Sequence, residues 1–168
     1  MEKLWSPWRS QYIESFKEEF KDNIPGTLFT RILNDNDDRK NYLLHRGKTC
    51  FIIMNLYPYN SGHLMVVPYK EAKDLGELDA ETRLELFELI DLGVQALTDA
   101  IKPHGFNLGA NLGRAAGAGV EDHIHFHIVP RWNGDTNFMP VLNDLKVVSE
   151  EMGKTYDKLK KSIEKLTK

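Results

Sequence analysis

Apolar residues recur at three- and four-residue steps in one long central stretch, and this spacing predicts an amphipathic helix. The helix is expected to begin after Asp79, which can cap it, and to span Ala80 to Ile101. Pro103 and Gly105 follow and would end it. The residues predicted to share its apolar face are Leu84, Phe87, Ile90, Val94, Leu97 and Ile101.

Two further helices are predicted nearer the ends of the chain. One spans about 149–166, with Met152, Leu159, Ile163 and Leu166 roughly on one side. The other would start at Pro7, after the capping residue Ser6, and run to about residue 20. The polar segment 21–40 shows no period that favours either a helix or a strand.

Short apolar runs bounded by turn residues predict the strands. They are "CFIIMN" at 50–55, "HLMVVP" at 63–68, "FNLGANLG" at 106–113 and "HIHFHIV" at 123–129, the last ended by Pro130. The segment "LYPYNSG" between the first two is rich in turn residues, so these strands should pair in antiparallel fashion. Strands, a long helix, strands and a helix together indicate an α+β fold.

Composition narrows the class of protein. The 168 residues carry a net charge of −3, which gives no general affinity for nucleic acid or anionic lipid. No apolar run is long enough for a membrane span, no leader is recognisable, and the one cysteine cannot form an intrachain disulfide. We therefore expect a cytoplasmic protein of one domain over 1–168, with its core at about 41–140 and helical extensions on either side.

Three of the six histidines lie within five residues, at His123, His125 and His127. On a strand these positions share one face, and Ile124, Phe126 and Ile128 share the other. Three exposed histidines without a role are one interpretation, although adjacent imidazoles repel each other when charged.

Two functional interpretations remain. In the first, the histidines ligate zinc, although the outer pair would be roughly 13 Å apart at Cα, which strains a shared ion. In the second, a histidine nitrogen attacks phosphorus and forms a phosphoramidate. The middle residue, His125, is best placed to attack, and His127 could then donate to the phosphate or the leaving oxygen.

A glycine-rich loop, "GRAAGAG" at 113–119, lies directly upstream of the histidines. Glycines allow successive backbone N–H groups to turn toward an anion, so this loop could hold phosphate groups. A tight turn without a ligand role is the alternative. The position of the loop beside the histidines favours the phosphate-binding interpretation.

The pattern from His123 to Val129 resembles the signature of the histidine triad (HIT) family of nucleotide hydrolases and transferases. "NLYPYNSGHLMVVP" resembles a second family segment, with an asparagine, a short loop, Gly-His and an apolar strand. "PHGFN-G-NLG--AG" and "HIVPRW-GD-NFM" are most similar to the branch that contains bacterial diadenosine tetraphosphate phosphorylases. The resemblance covers roughly residues 45–140.

This resemblance implies a five-stranded antiparallel sheet with a long helix and a C-terminal helix, and a homodimer whose sheets join into one of ten strands. It implies that His125 attacks the α-phosphorus of an adenine nucleotide derivative and carries the nucleotidyl group. His127 would hydrogen-bond the phosphate, the carbonyl of His123 would fix the tautomer of His125, and His63 would support the triad.

The resemblance also assigns the substrate-binding positions. Asn55 would contact the sugar, Asn111 the phosphate or sugar, and Gly117, Ala118, Gly119 and Val120 the phosphates. The alternative for both asparagines is a hydrogen bond within a turn or at a strand end. Some family branches carry Gln or Ser in this loop, where this chain has Ala118, Gly119 and Val120. These three side chains cannot donate, so backbone N–H groups would have to hold the phosphates there.

The expected activity is nucleotidyl transfer from a substrate such as diadenosine tetraphosphate, with water or inorganic phosphate as acceptor. No cofactor should be obligatory, and Mg²⁺ can accompany the polyphosphate. Nucleoside phosphoramidate hydrolysis, or metal or nucleotide binding without turnover, are the alternatives. The only other partner expected is a second copy of the chain.

Overall fold

The computed structural model describes residues 26–135 and 151–168. Three α-helices, five strands and two 3-10 turns form within these residues. In chain order they are α1 (Leu28–Asp35), β1 (Leu43–Arg46), β2 (Cys50–Met54), β3 (Leu64–Pro68), α2 (Ala80–Ile101), β4 (Gly105–Ala110), β5 (Phe126–Arg131) and α3 (Met152–Leu166). The helix predicted to start at Pro7 lies outside the described residues. No described helix combines the length and the apolar character that crossing a bilayer requires.

The five strands form one antiparallel sheet in the order β1-β2-β3-β5-β4. The α+β class with a five-stranded antiparallel sheet, a long helix and a C-terminal helix is therefore confirmed. Strands β2 and β3 pair from Cys50↔Pro68 to Met54↔Leu64, as the predicted turn between them requires. β5 lies between β3 and β4, so the histidine segment approaches the middle of the sheet.

Each face of the sheet carries its own apolar cluster. Helices α2 and α3 pack on one face, where the cluster includes Cys50, Ile52, Leu64, Val66 and Ile128. The cluster on the other face comprises Phe29, Leu43, Phe51, Ile53, Met65 and Val67, and its one helical member, Phe29, belongs to α1. This cluster around Phe29 occupies the face on which the histidines lie.

Helix α2 has the predicted bounds, and its cap Asp79 accepts a hydrogen bond from the backbone N–H of Thr82 at 2.7 Å. The predicted apolar face is partly wrong, because Leu84 and Phe87 are 62% and 57% exposed. The buried stripe instead includes Thr82 and Gly93. A Cβ on Gly93 would lie 2.6 Å from Cδ1 of Ile128, so the small residue allows the helix to approach the sheet closely.

The histidine strand differs from its predicted bounds at both ends. β5 begins at Phe126 rather than His123, and it continues through Pro130 to Arg131. Pairing of β5 with β3 ends at Ile128, so the missing N–H of Pro130 interrupts no ladder on that side. The short elements α1 and β1 were not predicted.

Candidate active site

The three triad histidines are buried where the chain enters β5. His123, His125 and His127 are 0%, 6% and 9% exposed. His127 lies within the ladder opposite Met65, whereas His123 and His125 precede the first residue of the strand, Phe126. The rings of His125 and His127 are adjacent, with centroids 5.0 Å apart.

The tautomer of His125 is fixed by a backbone carbonyl. Its Nδ1 lies 2.9 Å from the carbonyl oxygen of His123, and because a carbonyl only accepts, Nδ1 must carry the proton. Nε2 therefore holds a lone pair. Burial lowers the pKa of His125, and the nearby His123 ring lowers it further. The hydrogen bond to the backbone carbonyl of His123 acts in the opposite direction. A neutral imidazole with a nucleophilic Nε2 results at neutral pH.

A second hydrogen-bond chain sets the tautomer of His127. The backbone N–H of Tyr59 donates to Nδ1 of His63 at 3.1 Å, so Nε2 of His63 carries a proton. That nitrogen lies 2.9 Å from Nδ1 of His127 and donates to it. In the neutral ring, Nε2 of His127 is then an N–H donor. The turn that aligns Tyr59 and His63 contains Gly62 at φ 78°, a conformation that favours glycine.

His123 is held at both ring nitrogens. Nε2 lies 2.7 Å from the carbonyl oxygen of Pro68, and Nδ1 lies 2.7 Å from Oγ1 of Thr27. The ring of Phe29 contacts His123 edge-on at 5.3 Å and His125 at 5.2 Å between centroids. Burial lowers the pKa of His123, against the opposing effects of the Pro68 carbonyl and the Glu71 carboxylate. Helix α1 and the residue that caps it therefore contact two of the three triad rings.

The glycine-rich loop forms a 3-10 turn between two glycines. Gly113 and Gly117 have φ values of 74° and 87°, which a residue with a Cβ rarely adopts. Nδ2 of Asn111 donates to the carbonyl of Gly117 at 3.4 Å. The predicted loop residues and Asn111 are thus brought together, and the asparagine has the strand-end hydrogen bond of its alternative interpretation.

The end of this loop reaches the histidine face. Ala118 is buried, and Val120 packs against the cluster around Phe29, the same residue that contacts His123 and His125. Gly119 is exposed, and a Cβ built there would have no neighbour within 4 Å. The loop is therefore positioned beside the triad, and its exposed stretch at Gly119 has room for a ligand.

Asn55 has a structural partner. The residue is buried, and its Oδ1 accepts a hydrogen bond from the backbone N–H of Tyr57 at 2.9 Å, which starts the turn toward His63. Its own backbone N–H donates to the carbonyl of His63 at 2.9 Å. The turn interpretation of Asn55 is therefore realised, and the sugar contact stays a prediction.

Nothing in the described part of the chain favours the zinc interpretation. Within 26–135 and 151–168, no group of three His, Cys, Asp or Glu side chains is arranged to hold a metal ion. Six of the eight ring nitrogens of the four histidines described above are directed instead to backbone groups, to Thr27 or to one another.

Sequence reasoning missed four groups that contact the histidines directly or through one residue: Thr27, Phe29, Glu71 and the backbone N–H of Tyr59. Thr27 directly precedes "LFTRIL" and caps α1, a sequence signal that could have revealed the helix. No local signal could reveal its contact with His123, because 96 positions separate the two residues.

This fold and site define an α+β enzyme in which oriented imidazole rings lie beside a glycine-rich loop. The chain belongs to the HIT domain family, whose sequence model matches residues 37–134. It is 37% identical over 153 residues to the AP-4-A phosphorylase of Mycobacterium tuberculosis, an alignment that covers 89% of this chain and 78% of that protein.

Solved structures agree with the family assignment. A hypothetical histidine triad nucleotide-binding protein from Sulfolobus tokodaii has a TM-score of 0.67 and 30% identity, over 84% of this chain and 94% of its own. A Zn-bound histidine triad family protein from Mycobacterium smegmatis has a TM-score of 0.69 and 22% identity, over 84% and 96% of the two chains. The second likeness shows the fold alone.

Proposed function

We propose that this enzyme, a nucleotide phosphorylase or hydrolase of the HIT family, splits diadenosine tetraphosphate by nucleotidyl transfer through His125, with inorganic phosphate as acceptor. The observation that carries the proposal is the bond from Nδ1 of His125 to the His123 carbonyl, which leaves Nε2 as a nucleophile. The similarity to the mycobacterial phosphorylase supports phosphate rather than water as the acceptor.

In the first step, Nε2 of His125 attacks an α-phosphorus and the bond from that phosphorus to the bridging oxygen breaks. ATP leaves, and AMP remains on Nε2 as a phosphoramidate. Nε2–H of His127 hydrogen-bonds the departing oxygen, while the His123 carbonyl stabilises the positive charge that develops on the His125 ring. In the second step, an oxygen of inorganic phosphate attacks the same phosphorus, which releases ADP and restores His125.

The glycine-rich loop supplies donors for the phosphate oxygens in this proposal. Its backbone N–H groups near Gly117 and Gly119 would bind the polyphosphate. Asn55 would reach the sugar through its amide group. No protein-bound cofactor is obligatory, Mg²⁺ enters with the polyphosphate, and the enzyme acts in the cytoplasm.

Product analysis tests the choice of acceptor. With diadenosine tetraphosphate and inorganic phosphate we expect equal amounts of ATP and ADP, and without phosphate we expect no sustained turnover. Separation of the nucleotides by anion-exchange chromatography measures both conditions. AMP and ATP released in water alone would contradict the phosphorylase assignment and indicate a hydrolase.

We also propose that the enzyme is a homodimer joined through β4. This strand lies at one edge of the sheet, and its neighbourhood exposes Leu108 and Leu112. Exposed Phe87 is close by, since its ring lies 5.9 Å from that of Phe126, the strand partner of Ala110. An exposed edge strand flanked by apolar side chains is a surface that pairing with a second copy would cover.

Replacement of Leu108 by lysine is expected to shift the enzyme from dimer to monomer, because it introduces a charge at the centre of the proposed interface. Analytical ultracentrifugation over a range of protein concentrations measures the change. Leu166→Lys, at an exposed leucine on α3, serves as the matched control and should leave the mass unaltered. A monomeric wild-type enzyme at high concentration would disprove the proposed dimer.

A further inference from the structure

A continuous hydrogen-bond network connects the N-terminus of α1 to the nucleophile. It runs from Oγ1 of Thr27 to Nδ1 of His123 at 2.7 Å, and from the carbonyl of His123 to Nδ1 of His125 at 2.9 Å. The second contact fixes the tautomer of His125. The contact with Thr27 holds His123, whose carbonyl fixes that tautomer.

The direction of each bond follows from the groups involved. The Pro68 carbonyl can only accept, so Nε2 of His123 carries the proton and, in the neutral ring, Nδ1 must accept. The hydroxyl of Thr27 is therefore the donor to Nδ1. Valine at position 27 would have nearly the same shape but no donor, which makes the role of the hydroxyl separable from that of its methyl group.

Thr27 is itself held in place from the opposite side. Its backbone N–H donates to Oε1 of Glu71 at 3.0 Å, and the hydroxyl of Thr30 donates to the same oxygen at 2.5 Å. Together these bonds lower the pKa of Glu71, with the Thr30 hydroxyl contributing most, so the carboxylate is charged at neutral pH. The oxygen of Thr27 also accepts from the backbone N–H of Thr30 at 3.4 Å.

We propose that Thr27 is a positioning residue for the reaction: its hydroxyl locks the His123 ring, and the locked residue holds its carbonyl against Nδ1 of His125. This inference rests on the proposed function, in which Nε2 of His125 attacks phosphorus. Thr27 does not touch the substrate in this role. It controls the fraction of His125 whose Nε2 lone pair is available.

Loss of the donor should therefore reduce kcat more than it changes KM. For Thr27→Val we expect kcat to fall about 10- to 100-fold, by analogy with the loss of a group that orients a metal-ligating histidine. KM for diadenosine tetraphosphate should stay close to the wild-type value. Thr27→Ser keeps both the donor and the helix cap and should restore kcat.

A matched control separates positioning from the loss of a helix cap, because Thr27→Val also removes the cap of α1. Asp79→Ala removes the equivalent cap of α2, where Oδ1 accepts from the backbone N–H of Thr82. This control should lower thermal stability and leave kcat unaltered. An equal fall in kcat for Asp79→Ala and Thr27→Val would overturn the proposal.

The tautomer itself is measured by long-range ¹H–¹⁵N correlation spectra of ¹⁵N-histidine-labelled enzyme without nucleotide. Wild type and Thr27→Ser should show His125 protonated at Nδ1 alone, and Thr27→Val should show a mixture of the two tautomers. An unchanged tautomer in Thr27→Val, or a changed tautomer with wild-type kcat, would overturn the proposal. Because the spectra need no turnover, they test Thr27 even if wild type fails to split diadenosine tetraphosphate, which would refute the proposed function instead.

Discussion

Replacement of His125 by alanine is expected to abolish turnover of diadenosine tetraphosphate, with kcat reduced by at least a factor on the order of 10⁴. The variant loses the ring whose Nδ1 is bonded to the His123 carbonyl and whose Nε2 is the proposed nucleophile. Nucleotide binding should survive, because backbone N–H groups of the loop near Gly117 are assigned to the phosphates. Steady-state kinetics and equilibrium binding of a non-hydrolysable analogue measure the two effects separately.

A second experiment, on wild type, tests for the intermediate. Wild type incubated with substrate in the absence of inorganic phosphate should gain the mass of one AMP, and tandem mass spectrometry should locate the adduct on His125. His104→Ala is the matched control, since His104 is exposed and its Nδ1 accepts from the backbone N–H of Asn133 rather than from a triad residue. Wild-type rates in His125→Ala, or an AMP adduct on another residue, would disprove the mechanism.

The second large effect is on stability. Glu85 on α2 accepts hydrogen bonds from the chain at the start of β2: Oε1 from the backbone N–H of Lys48 at 2.7 Å, and Oε2 from those of Thr49 and Cys50 at 2.5 and 3.0 Å. The hydroxyl of Thr49 donates to the same carboxylate. Glu85→Ala leaves these donors without their shared acceptor, so we expect the free energy of unfolding to fall by about 2–4 kcal/mol. Urea denaturation followed by circular dichroism measures the loss.

The pH dependence of this effect provides an internal check. Burial, the largest single influence, would raise the pKa of Glu85, but the hydrogen bonds from Thr49, Lys48 and Cys50 together hold it below its usual value. The carboxylate therefore contributes its full stability above the unfolded pKa of about 4.3 and loses it as the pH falls through the lower folded pKa.

The stability difference between wild type and Glu85→Ala should accordingly shrink in acid. Glu81→Ala, one turn earlier on α2, is the control. Glu81 is exposed, and its carboxylate forms a long ion pair, of 3.9 Å, with Lys48. Its effect should stay within about 0.5 kcal/mol. A difference for Glu85→Ala that is constant down to pH 2 would contradict this account.

The sequence predicted those elements whose signals are local. Helix α2 has a capping aspartate, a long apolar period and Pro103 beyond its end, and its predicted bounds agree with the structure. Its buried face could not be assigned from apolar character alone, because close approach to β5 selects Gly93, whereas Leu84 is left exposed. Helix α1 has only eight residues in a polar segment, and its packing against the histidines through Phe29 is a tertiary contact.

In the candidate site, too, the features that depend on neighbouring positions were predicted, and those that depend on distant residues were not. The alternation of His123, His125 and His127 with apolar residues predicted that the three histidines share one face, because all three lie within five consecutive positions. The proton arrangement needed the structure, because it depends on a backbone N–H at Tyr59 and on Thr27, a side chain distant in sequence. The roles of Asn55 and Asn111 toward substrate stay predictions.

The chain enters β5 only at Phe126, and contacts just ahead of the strand hold it in place. His123 is tied to Pro68, and the backbone N–H of Ile124 donates to the carbonyl of Ala72 at 2.6 Å, so the chain is anchored just before the strand begins. An insertion or deletion within 112–122 would be absorbed ahead of these anchors, and the register of His127 opposite Met65 would not shift. The length of the glycine-rich loop can therefore change while His123 and His127 keep their positions.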